Sequence, residues 1–418
     1  MRIYLSSLGC KLNRYEMDAL AEQLARAGHR IVATAKEADL CVFNTCAVTH
    51  VAARKSRQAL RRLHRDNPTA SLIVTGCYAE LAPADLRALP GVAQVVGNQA
   101  KERLAELLGE ASKPSRTGEK RRPRTRALVK IQDGCDNACT YCIIHVARGP
   151  QRSRPADQIL EEVRSRLAAG YKEIVLTGVH IGSYGHDRGS VGDTDLWSLV
   201  KRILAETDVP RLRLSSIEPW DLPPEALSLW RDPRLCPHLH LPLQSGCDAT
   251  LQRMNRRYTT AEFADLVAAA RAAIPDLAVT TDLIVGFPGE TEAEFAVSLA
   301  FVQKMEFARV HVFPYSRREG TPAASMPHQV APQVKAERAR AMRQVAAAGS
   351  LSFRRRFVGR TMEVLWETAR RGDEGKVWSG LTGNYLRVWT INEQSLQNRI
   401  TPTRLVAVGK EGLRGQIV

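Results

Sequence analysis

Three cysteines in one short segment carry the strongest chemical signal in the chain. Cys135, Cys139 and Cys142 lie in KIQDGCDNACTYCIIHVARG with the spacing C-x3-C-x2-C, in a loop after a short apolar run. Three thiolates are one too few to complete a tetrahedral zinc site or to ligate every iron of a four-iron cluster. A [4Fe-4S] cluster held by three cysteines leaves one iron open to bind and activate a second molecule. The spacing favours such a cluster over three unrelated buried cysteines.

A second set of three cysteines is dispersed in sequence, but each member directly follows a predicted strand. Cys10 ends LSSLGC, Cys46 ends VFNTC and Cys77 ends IVTGC. Because the carboxyl ends of parallel strands lie along one edge of a sheet, we expect these thiols to converge. Gly9 and Gly76 precede two of them and allow tight turns. The alternative interpretation is small buried residues at strand ends.

The remaining cysteines are interpreted as structural. Cys41 lies inside a predicted strand, and Cys236 and Cys247 flank a later strand without a third partner nearby. Nine cysteines in 418 residues are too sparse for a disulfide scaffold. In a reducing compartment, clustered cysteines are more often metal ligands than bridges.

Strand-like and helix-like runs alternate strictly over residues 1–108, which predicts a doubly wound parallel sheet. Asn13 with Glu16 is expected to begin the first helix as a capping box, and Gly28 is expected to end it. A basic helix is predicted from about Thr49 to Arg65.

From residue 127 to about 345 the alternation of strand-like and helix-like runs resumes. Its six strand–helix units predict a partial or full (β/α) barrel. The functional loops of such a barrel lie at the carboxyl ends of its strands. The strand candidates are ALVKIQ, EIVLTGV, RLRLSSI, LHLPLQ, AVTTDLIVGF and RVHVFPY. Short, glycine-punctuated β runs then predict a small all-β barrel. The predicted division is an amino-terminal domain (1–110), a basic linker (111–126), the (β/α) domain (127–349) and the small barrel (350–418).

The net charge of +16 is unevenly distributed. Residues 111–127 carry seven basic and one acidic side chain, residues 350–418 carry twelve and six, and residues 128–349 carry 26 of each. This segregation favours a polyanionic partner such as RNA over an ordinary solvated surface. The candidate RNA-binding residues are Arg54, Lys55, Arg57 and Arg61 on the basic helix, Arg121 and Arg122 in the linker, and Arg354, Arg355 and Arg356 at the start of the small barrel. The linker also contributes Lys120, Arg124 and Arg126, and Trp366, Tyr385 and Trp389 are candidates for base stacking or for the barrel core.

The composition is that of a globular protein, with 44% apolar and 25% charged residues. The longest apolar runs are shorter than the ~18 residues that a membrane span requires, so we expect no membrane association. The first residues, MRIYLSSLGCKLN, lack the order of a secretory signal. The predicted location is the cytoplasm.

Taken together, these motifs resemble the radical S-adenosylmethionine (SAM) methylthiotransferases over essentially the whole chain. The resemblance rests on GCKLNRYE, NTCAVT, TGCYAE, GCDNACTYCII, LTGVHIGSYG, SSIEP, HLPLQSGCD, TDLIVGFPGET and FPYSRREGTPA. The carboxyl-terminal segment resembles the RNA-binding TRAM domain of these enzymes. His145 departs from the family pattern, which has proline there, and we expect it to pack without a catalytic role.

Three branches of this family act on different substrates, and the chain resembles most closely the branch that modifies N6-threonylcarbamoyladenosine next to the anticodon in tRNA. The features that favour this branch are NTCAVTHVAARKSRQALRR, VKIQDGCDNACTYC and LHLPLQSGCDATLQRMNRRYT. The alternatives are isopentenyladenosine in tRNA and an aspartate of a ribosomal protein. From another class, an RNA-binding module with a structural zinc ion remains possible on the residues alone.

The resemblance implies the cofactors and the roles of both cysteine sets. Cys135, Cys139 and Cys142 would hold the [4Fe-4S] cluster that binds SAM, and Cys10, Cys46 and Cys77 an auxiliary [4Fe-4S] cluster that binds the sulfur to be inserted. One SAM would methylate that sulfur, and a second would give a 5′-deoxyadenosyl radical that abstracts hydrogen from C2 of the adenine. The implied SAM contacts are Tyr141, Gly178, Ser215, Glu218, Gln244 and Asp282. The implied partners are a tRNA anticodon stem-loop, an electron donor such as flavodoxin or ferredoxin, and a sulfur source.

Overall fold

The computed structural model describes residues 1–109, 125–188, 195–372, 375–410 and 412–418. The contacts of the chain group it into two compact units. The first unit comprises residues 1–122, 133–152 and 316–325, and the second comprises residues 123–132, 153–315 and 326–418. Both therefore contain segments that are distant from one another in sequence. No helix among the described residues is both long and apolar enough to span a membrane.

A five-stranded parallel sheet forms the centre of the first unit, in the order β2-β1-β3-β4-β5. Its strands are β1 (Arg2–Ser7), β2 (Arg30–Ile31), β3 (Leu40–Thr45), β4 (Ser71–Gly76) and β5 (Val92–Val96). The helices between and after them are α1 (Lys11–Arg26), α2 (His50–Asp66), α3 (Cys77–Leu81), α4 (Pro83–Arg87) and α5 (Leu104–Leu108), with short 3-10 turns at Ala35–Glu37 and Ala100–Arg103.

Both faces of this sheet are covered, as the doubly wound prediction requires. On one face Val42 and Ile73 pack with residues of α1, including Leu20. On the other face Phe43 packs with residues of α2, including Leu60. Alternate residues of the central strands therefore serve two cores, which explains their continuous apolar sequences.

Two helices from later in the chain, α6 (Ile144–Arg148) and α12 (Pro322–Ser325), complete the first unit. Two short strands, β7 (Gln132–Asp133) and β8 (Arg152–Ser153), lie where the chain passes between the units.

The second unit contains the six predicted parallel strands, arranged as β6-β9-β10 and β11-β12-β13. A parallel bridge between Ser216 and His240 joins the two halves. The strands are β6 (Arg126–Lys130), β9 (Glu173–Thr177), β10 (Leu212–Leu214), β11 (His238–His240), β12 (Ala278–Val285) and β13 (Arg309–Pro314). The helices are α7 (Ala156–Ala168), α8 (Leu196–Glu206), α9 (Asp248–Arg253), α10 (Thr260–Ala273), α11 (Glu292–Met305) and α13 (Pro332–Arg355), with 3-10 turns at Ile181–Ser183, His186–Arg188, Pro219–Asp221 and Pro224–Arg231. The predicted partial barrel is confirmed.

A closed five-stranded barrel at the carboxyl end confirms the predicted small β domain. Its strands, β14 (Thr361–Gly372), β15 (Gly375–Thr382), β16 (Arg387–Ile391), β17 (Ile400–Val408) and β18 (Leu413–Ile417), are joined in the order β14-β15-β16-β18-β17. Trp366 is fully buried in its core, so it is not a stacking platform for RNA. Tyr385 and Trp389 are half-buried.

This barrel packs against the amino ends of the sheet in the same unit. Arg126 begins β6 and donates a 2.7 Å hydrogen bond to Glu367 of the barrel. Arg211, directly before β10, donates to the carbonyls of Leu381 (2.9 Å) and Glu363 (2.7 Å). The barrel therefore lies opposite the carboxyl ends, where the working loops of such sheets lie.

Candidate functional site

The strands that precede Cys10, Cys46 and Cys77 are neighbours and end at the same edge of the first-unit sheet. Strands β1, β3 and β4 are adjacent, and their last residues are register partners: Ser7 with Asn44, and Thr45 with Gly76. Cys10 caps α1, and Cys77 is the first residue of α3. The parallel sheet thus brings together three cysteines that are 36 and 31 positions apart in sequence (46 − 10 and 77 − 46).

Glycine is required beside these cysteines because other side chains would collide with the site. A Cβ atom at Gly9, whose φ is +120°, would lie 2.9 Å from the Cβ and 3.2 Å from the Sγ of Cys46. Gly76 has φ +96°, and a Cβ there would overlap the side chain of Asn44. The two glycines allow the backbone to pass close to the thiols.

Cys46 and Cys77 are buried near the Arg148 guanidinium, whereas Cys10 is exposed. Burial raises the pKa of Cys46 to about 11, and the charges of Cys77 and Cys10 act in the same direction while Arg148 opposes them. Burial likewise raises the pKa of Cys77, and Arg148 again opposes it. Without a metal the Cys46 and Cys77 thiols are protonated at neutral pH, so binding of a metal by their thiolates displaces protons.

The C-x3-C-x2-C loop also belongs to the first unit. The Cys135 amide donates to the Gly149 carbonyl (3.1 Å), and the Cys142 amide donates to the Cys139 carbonyl (3.0 Å). Cys139 is buried, whereas Cys135 and Cys142 are half-buried. These two hydrogen bonds stabilise the loop that carries the three cysteines.

A network of buried charges connects α1 with the segment that carries this loop. The Arg148 guanidinium, in α6, donates to Glu16 (2.8 Å), to Asp133 (3.0 Å) and to the side-chain oxygen of Asn13 (2.8 Å). Lys101 forms a second ion pair with Glu16, at 2.7 Å. Two cations and two carboxylates thus balance inside the unit, which buried charges require.

This network reaches both cysteine sets through short stretches of chain. Asn13 is three residues after Cys10, and its amide nitrogen donates to the Thr45 carbonyl (3.0 Å), directly before Cys46. Asp133 is two residues before Cys135. Burial alone would raise the pKa of Glu16, but Arg148 and Lys101 hold that pKa below its ordinary value. The network therefore fixes the loop segment relative to the sheet edge through groups that stay charged.

The capping role predicted for Asn13 is wrong. Helix α1 begins at Lys11 with Cys10 as its cap residue, so Asn13 and Glu16 lie inside the helix. Both are buried, at 1% and 8% exposure, because their side chains serve the network and not the helix end. No local sequence pattern indicated this role, because the network depends on Arg148, which is 132 positions from Glu16.

The residues fit the clusters that the resemblance implies. Among the described residues, no three His, Cys, Asp or Glu side chains are grouped closely enough to hold a single metal ion. In a four-iron cluster each cysteine ligates a different iron, so its ligands stand farther apart than those of one zinc ion. Arg148 supplies a buried positive charge beside thiols that ligate as anions. The set of Cys10, Cys46 and Cys77 therefore has thiol donors and a nearby positive charge, as a cluster requires.

The SAM candidates are divided between the units. Tyr141 is in the loop of the first unit and is half-buried, whereas the other five are in the second unit. Gly178 and Ser215 follow the neighbouring strands β9 and β10. A Cβ atom at Gly178 would lie 2.9 Å from the side-chain oxygen of Gln132, so the chain passes close to that residue.

Gln132 was not predicted as a functional residue, yet it organises the loop after β9. Its side-chain oxygen accepts hydrogen bonds from the amides of Val179 (3.1 Å) and His180 (2.9 Å). It is fully buried. The only sequence signal was a glutamine at the end of the predicted strand ALVKIQ.

Two of the remaining SAM candidates lie together. The Gln244 amide donates to the Asp282 carbonyl (2.9 Å), and Gln244 has a positive φ of 63°. The Asp282 carboxylate is 3.5 Å from Nε2 of His240. Glu218 instead forms an ion pair with the buried Arg256 guanidinium.

The cations predicted to bind RNA differ in their availability. Arg54, Lys55 and Arg61 are exposed on α2, whereas Arg57 is half-buried and donates to the Tyr78 hydroxyl (2.5 Å). Arg121 and Arg122, like Lys120 and Arg124, lie outside the described residues. Arg126 is engaged with Glu367, so it is not available to RNA.

The three arginines near residue 355 belong to a helix and not to the small barrel. Arg354 and Arg355 end α13, and Arg356 caps it. Arg354 donates to the Gly409 carbonyl (3.0 Å), whereas Arg355 and Arg356 are exposed. The apolar residues of this last turn, such as Phe353, extend the helix beyond the predicted start of the β domain.

Two family profiles match the chain. Residues 129–302 match the Radical SAM superfamily, and residues 2–97 match the Uncharacterized protein family UPF0004. A solved structure of the radical SAM methyltransferase TsrM from Kitasatospora setae, with cobalamin and a [4Fe-4S] cluster, has a similar fold, with a TM-score of 0.59 at 16% identity over 77% of each chain. The chain is thus a radical SAM protein.

Relatives of nearly the same length show which family of radical SAM proteins the chain belongs to. The threonylcarbamoyladenosine tRNA methylthiotransferase MtaB of Bacillus subtilis is 38% identical over 99% of this chain and 95% of its own. The MtaB of Thermotoga maritima is 40% identical over 87% of this chain and 86% of its own. Relatives named as tRNA-2-methylthio-N(6)-dimethylallyladenosine synthases are 32–34% identical. The chain belongs to the radical-SAM methylthiotransferase family.

Proposed function

We propose that the chain methylthiolates C2 of N6-threonylcarbamoyladenosine next to the anticodon of tRNA, giving 2-methylthio-N6-threonylcarbamoyladenosine. The observation that carries the proposal is the presence of two cysteine triads in one compact unit, each suited to a cluster with an open iron. The choice of substrate is supported by the 38–40% identity to relatives named for this modification.

In this proposal Cys135, Cys139 and Cys142 hold the cluster that binds SAM, and Cys10, Cys46 and Cys77 hold the auxiliary cluster. When bound, the clusters supply radical generation from SAM and a place for the sulfur. The protein holds the thiolates, excludes water and orients the substrates, which is its usual part in cofactor chemistry. Burial of Cys46, Cys77 and Cys139 supports water exclusion around these three thiols, whereas Cys10 is exposed and Cys135 and Cys142 are half-buried.

Arg148 is a positioning residue in this proposal. It bonds to Asn13, beside the auxiliary triad, and to Asp133, beside the SAM-cluster triad. Two clusters that act on one substrate must stay at a fixed separation, and a buried ion network resists displacement better than exposed pairs do.

Substrate binding is assigned to both units. Tyr141, Gly178, Ser215, Gln244 and Asp282 are proposed to contact SAM, and Glu218 to support that site through Arg256. Exposed cations of α2 and of the end of α13 are proposed to contact phosphates of the anticodon stem-loop, together with Arg121 and Arg122. Such contacts fix affinity and register and make binding depend on salt. The electron donor, such as a flavodoxin or ferredoxin, and the sulfur source are expected to be cytoplasmic.

The test is deletion of the gene, followed by mass spectrometry of tRNA nucleosides. We expect the deletion strain to lose 2-methylthio-N6-threonylcarbamoyladenosine. The wild-type gene should restore this nucleoside, whereas a triple variant with Cys10→Ala, Cys46→Ala and Cys77→Ala should not. A Cys41→Ala gene is the matched control and should restore the nucleoside, because Cys41 lies inside β3. Loss of the dimethylallyl nucleoside, or of the ribosomal-protein modification, would replace the proposed substrate by an alternative.

Iron and sulfide analysis of the anaerobically prepared protein tests the cofactors separately. Two clusters require about eight irons per chain, and the triple variant should retain about half of them. One zinc and no iron would contradict the proposal and indicate a structural metal site.

A further inference from the structure

Arg318, in the first unit, is a partly buried arginine whose Nε atom has no hydrogen-bond partner among the described residues. It lies in residues 316–325, and this Nε atom is buried. Within the part of the chain that the structure describes, its guanidinium forms no ion pair or side-chain hydrogen bond, and its terminal nitrogens reach solvent. An unpaired, partly buried guanidinium is costly to keep unless an anion binds it during function.

The nearby groups do not supply that anion. Burial lowers the pKa of Arg318, and the groups that act against this are Tyr78, Cys46 and Glu319. The Tyr78 hydroxyl already accepts from Arg57 (2.5 Å) and donates to Asp85 (3.2 Å). Glu319 is exposed and forms no ion pair with Arg318 among the described residues. The partner of Arg318 must therefore come from outside this cluster of side chains.

The segment that carries Arg318 is fastened at both of its ends within the first unit. The Ser316 hydroxyl accepts from the amide of His50, at the start of α2 (3.0 Å). The Ala323 amide donates to the carbonyl of Thr140, inside the C-x3-C-x2-C loop (2.9 Å). Arg318 is thus held on a strap between the basic helix and the loop, close enough to Cys46 for their charges to interact.

The surface beside this strap suits a nucleic-acid base more than a small inorganic anion. Val48 and Val51, on either side of His50, are 42% and 51% exposed. Arg54 and Lys55 follow them and are also exposed on α2. Apolar surface next to cations is the combination that binds unstacked bases of single-stranded loops.

We propose that Arg318 binds an oxyanion of the RNA substrate as the target nucleotide approaches the auxiliary triad. This inference rests on the proposed function, because it is the sulfur site at Cys46 that the target base must reach. Two groups of the RNA offer the same chemistry: a phosphodiester next to the target nucleotide, and the carboxylate of its threonylcarbamoyl group. A guanidinium fork matches either of them.

The experiment measures binding of labelled anticodon stem-loop RNA to the cluster-loaded, full-length protein by fluorescence anisotropy under anaerobic conditions. Two RNAs are compared, one with N6-threonylcarbamoyladenosine and one with adenosine at the target position, each at several salt concentrations. The variants are Arg318→Gln and Arg318→Lys. Arg87→Gln is the matched control, since Arg87 is exposed on α4 in the same unit and loses the same charge.

The expected result is a loss of affinity of about tenfold or more for Arg318→Gln, with a smaller loss for Arg318→Lys and none for Arg87→Gln. If the partner is a phosphate, both RNAs lose affinity and the slope of log K against log [salt] falls in magnitude by about 0.7–0.9. If it is the carboxylate, only the modified RNA loses affinity. Either pattern supports the proposal and identifies the group.

Unchanged affinity of Arg318→Gln for both RNAs, at wild-type iron content, would overturn it. If Arg318→Gln loses iron, its affinity for RNA is not informative and the Arg318→Lys variant is used to test the proposal. Wild-type affinity of Arg318→Lys for both RNAs would overturn the proposal, and a loss of affinity would support it. Failure of the proposed function would appear elsewhere, as an unchanged nucleoside profile in the deletion strain.

Discussion

The two units contain buried ion networks of similar composition but different surroundings. In the first unit Arg148 and Lys101 balance Glu16 and Asp133 between segments that carry six cysteines. In the second unit Arg213 and Glu173 form a fully buried pair, 2.7 Å apart, where the small barrel packs on the sheet. The comparison shows that the same chemistry connects the cysteine-bearing segments in one unit and attaches the small barrel in the other.

The partners of each network explain this difference. Among the described residues, the Arg148 guanidinium bonds to side chains on α1 and on the chain before the cysteine loop. Arg211, the neighbour of the second pair, bonds to backbone carbonyls of β14 and β15. The side-chain acceptors of Arg148 thus fix individual residues, whereas the carbonyl acceptors of Arg211 fix the strands β14 and β15.

The largest expected effect is on the second network. Arg213→Met leaves Glu173 buried without its main partner, which should destabilise the second unit by about 3–5 kcal/mol. All six tryptophans lie in that unit, so urea unfolding followed by tryptophan fluorescence reports on it alone. Arg202→Met is the control, because Arg202 of α8 pairs at the surface with Asp157 of α7 and Glu206 of α8, and such exposed pairs are worth at most about 1 kcal/mol. Equal midpoints for the two variants would show that the buried pair does not attach the barrel.

A smaller effect is expected from Arg148→Met, because Lys101 still pairs with Glu16. The first unit should lose about 1.5–3 kcal/mol, measured by hydrogen exchange of α1 and β3. Tryptophan fluorescence should show an unchanged transition, and iron content should fall. An altered tryptophan transition with full iron content would assign Arg148 to the stability of the other unit and refute its positioning role.

The pH dependence separates the second network from ordinary surface charge. Burial opposes ionisation of Glu173, but Arg213 holds its pKa below the ordinary value of 4.5. Its contribution to stability is therefore complete above about pH 4.5 and is lost as the pH falls through the lower folded pKa. The stability difference between wild type and Glu173→Gln should stay constant from about pH 6 to 8 and shrink below 4.5, as followed by tryptophan fluorescence. Glu292→Gln, an exposed control on α11, should show no such change, and a difference that grows in acid would reverse the sign of the argument.

The smallest effect is expected at Cys41, which is buried inside β3, whereas Cys46 is buried directly after the end of that strand. Cys41→Ala removes one sulfur atom from a packed core and should cost about 1 kcal/mol with no loss of iron. Cys46→Ala should lose iron from the auxiliary site. If Cys41→Ala loses iron as well, proximity to the strand end is not what selects the ligands.

Much of the fold was predictable because it follows local patterns. The six strands of the second unit, the doubly wound sheet and the closed barrel all have apolar runs with the expected period and turn residues. The convergence of the strands before Cys10, Cys46 and Cys77 followed from the parallel topology alone.

The network around Arg148 was not predictable, because it depends on long-range contacts. Arg148 and Glu16 are 132 positions apart, and neither has an unusual local pattern. The same cause produced the error at Asn13: its local pattern suits a helix cap, but burial against Arg148 determines its role. Arg318 went unnoticed because an arginine among charged neighbours indicates a solvated loop.

The assembly of the first unit from three separate segments imposes an order on its biogenesis. The amino-terminal sheet leaves the ribosome first, with Glu16 and Lys101 able to pair before Arg148 exists. The strap at residues 316–325 follows only when about three quarters of the chain has been synthesised. A chain arrested earlier would lack the strap, and with it the bonds from Ser316 to His50 and from Ala323 to Thr140.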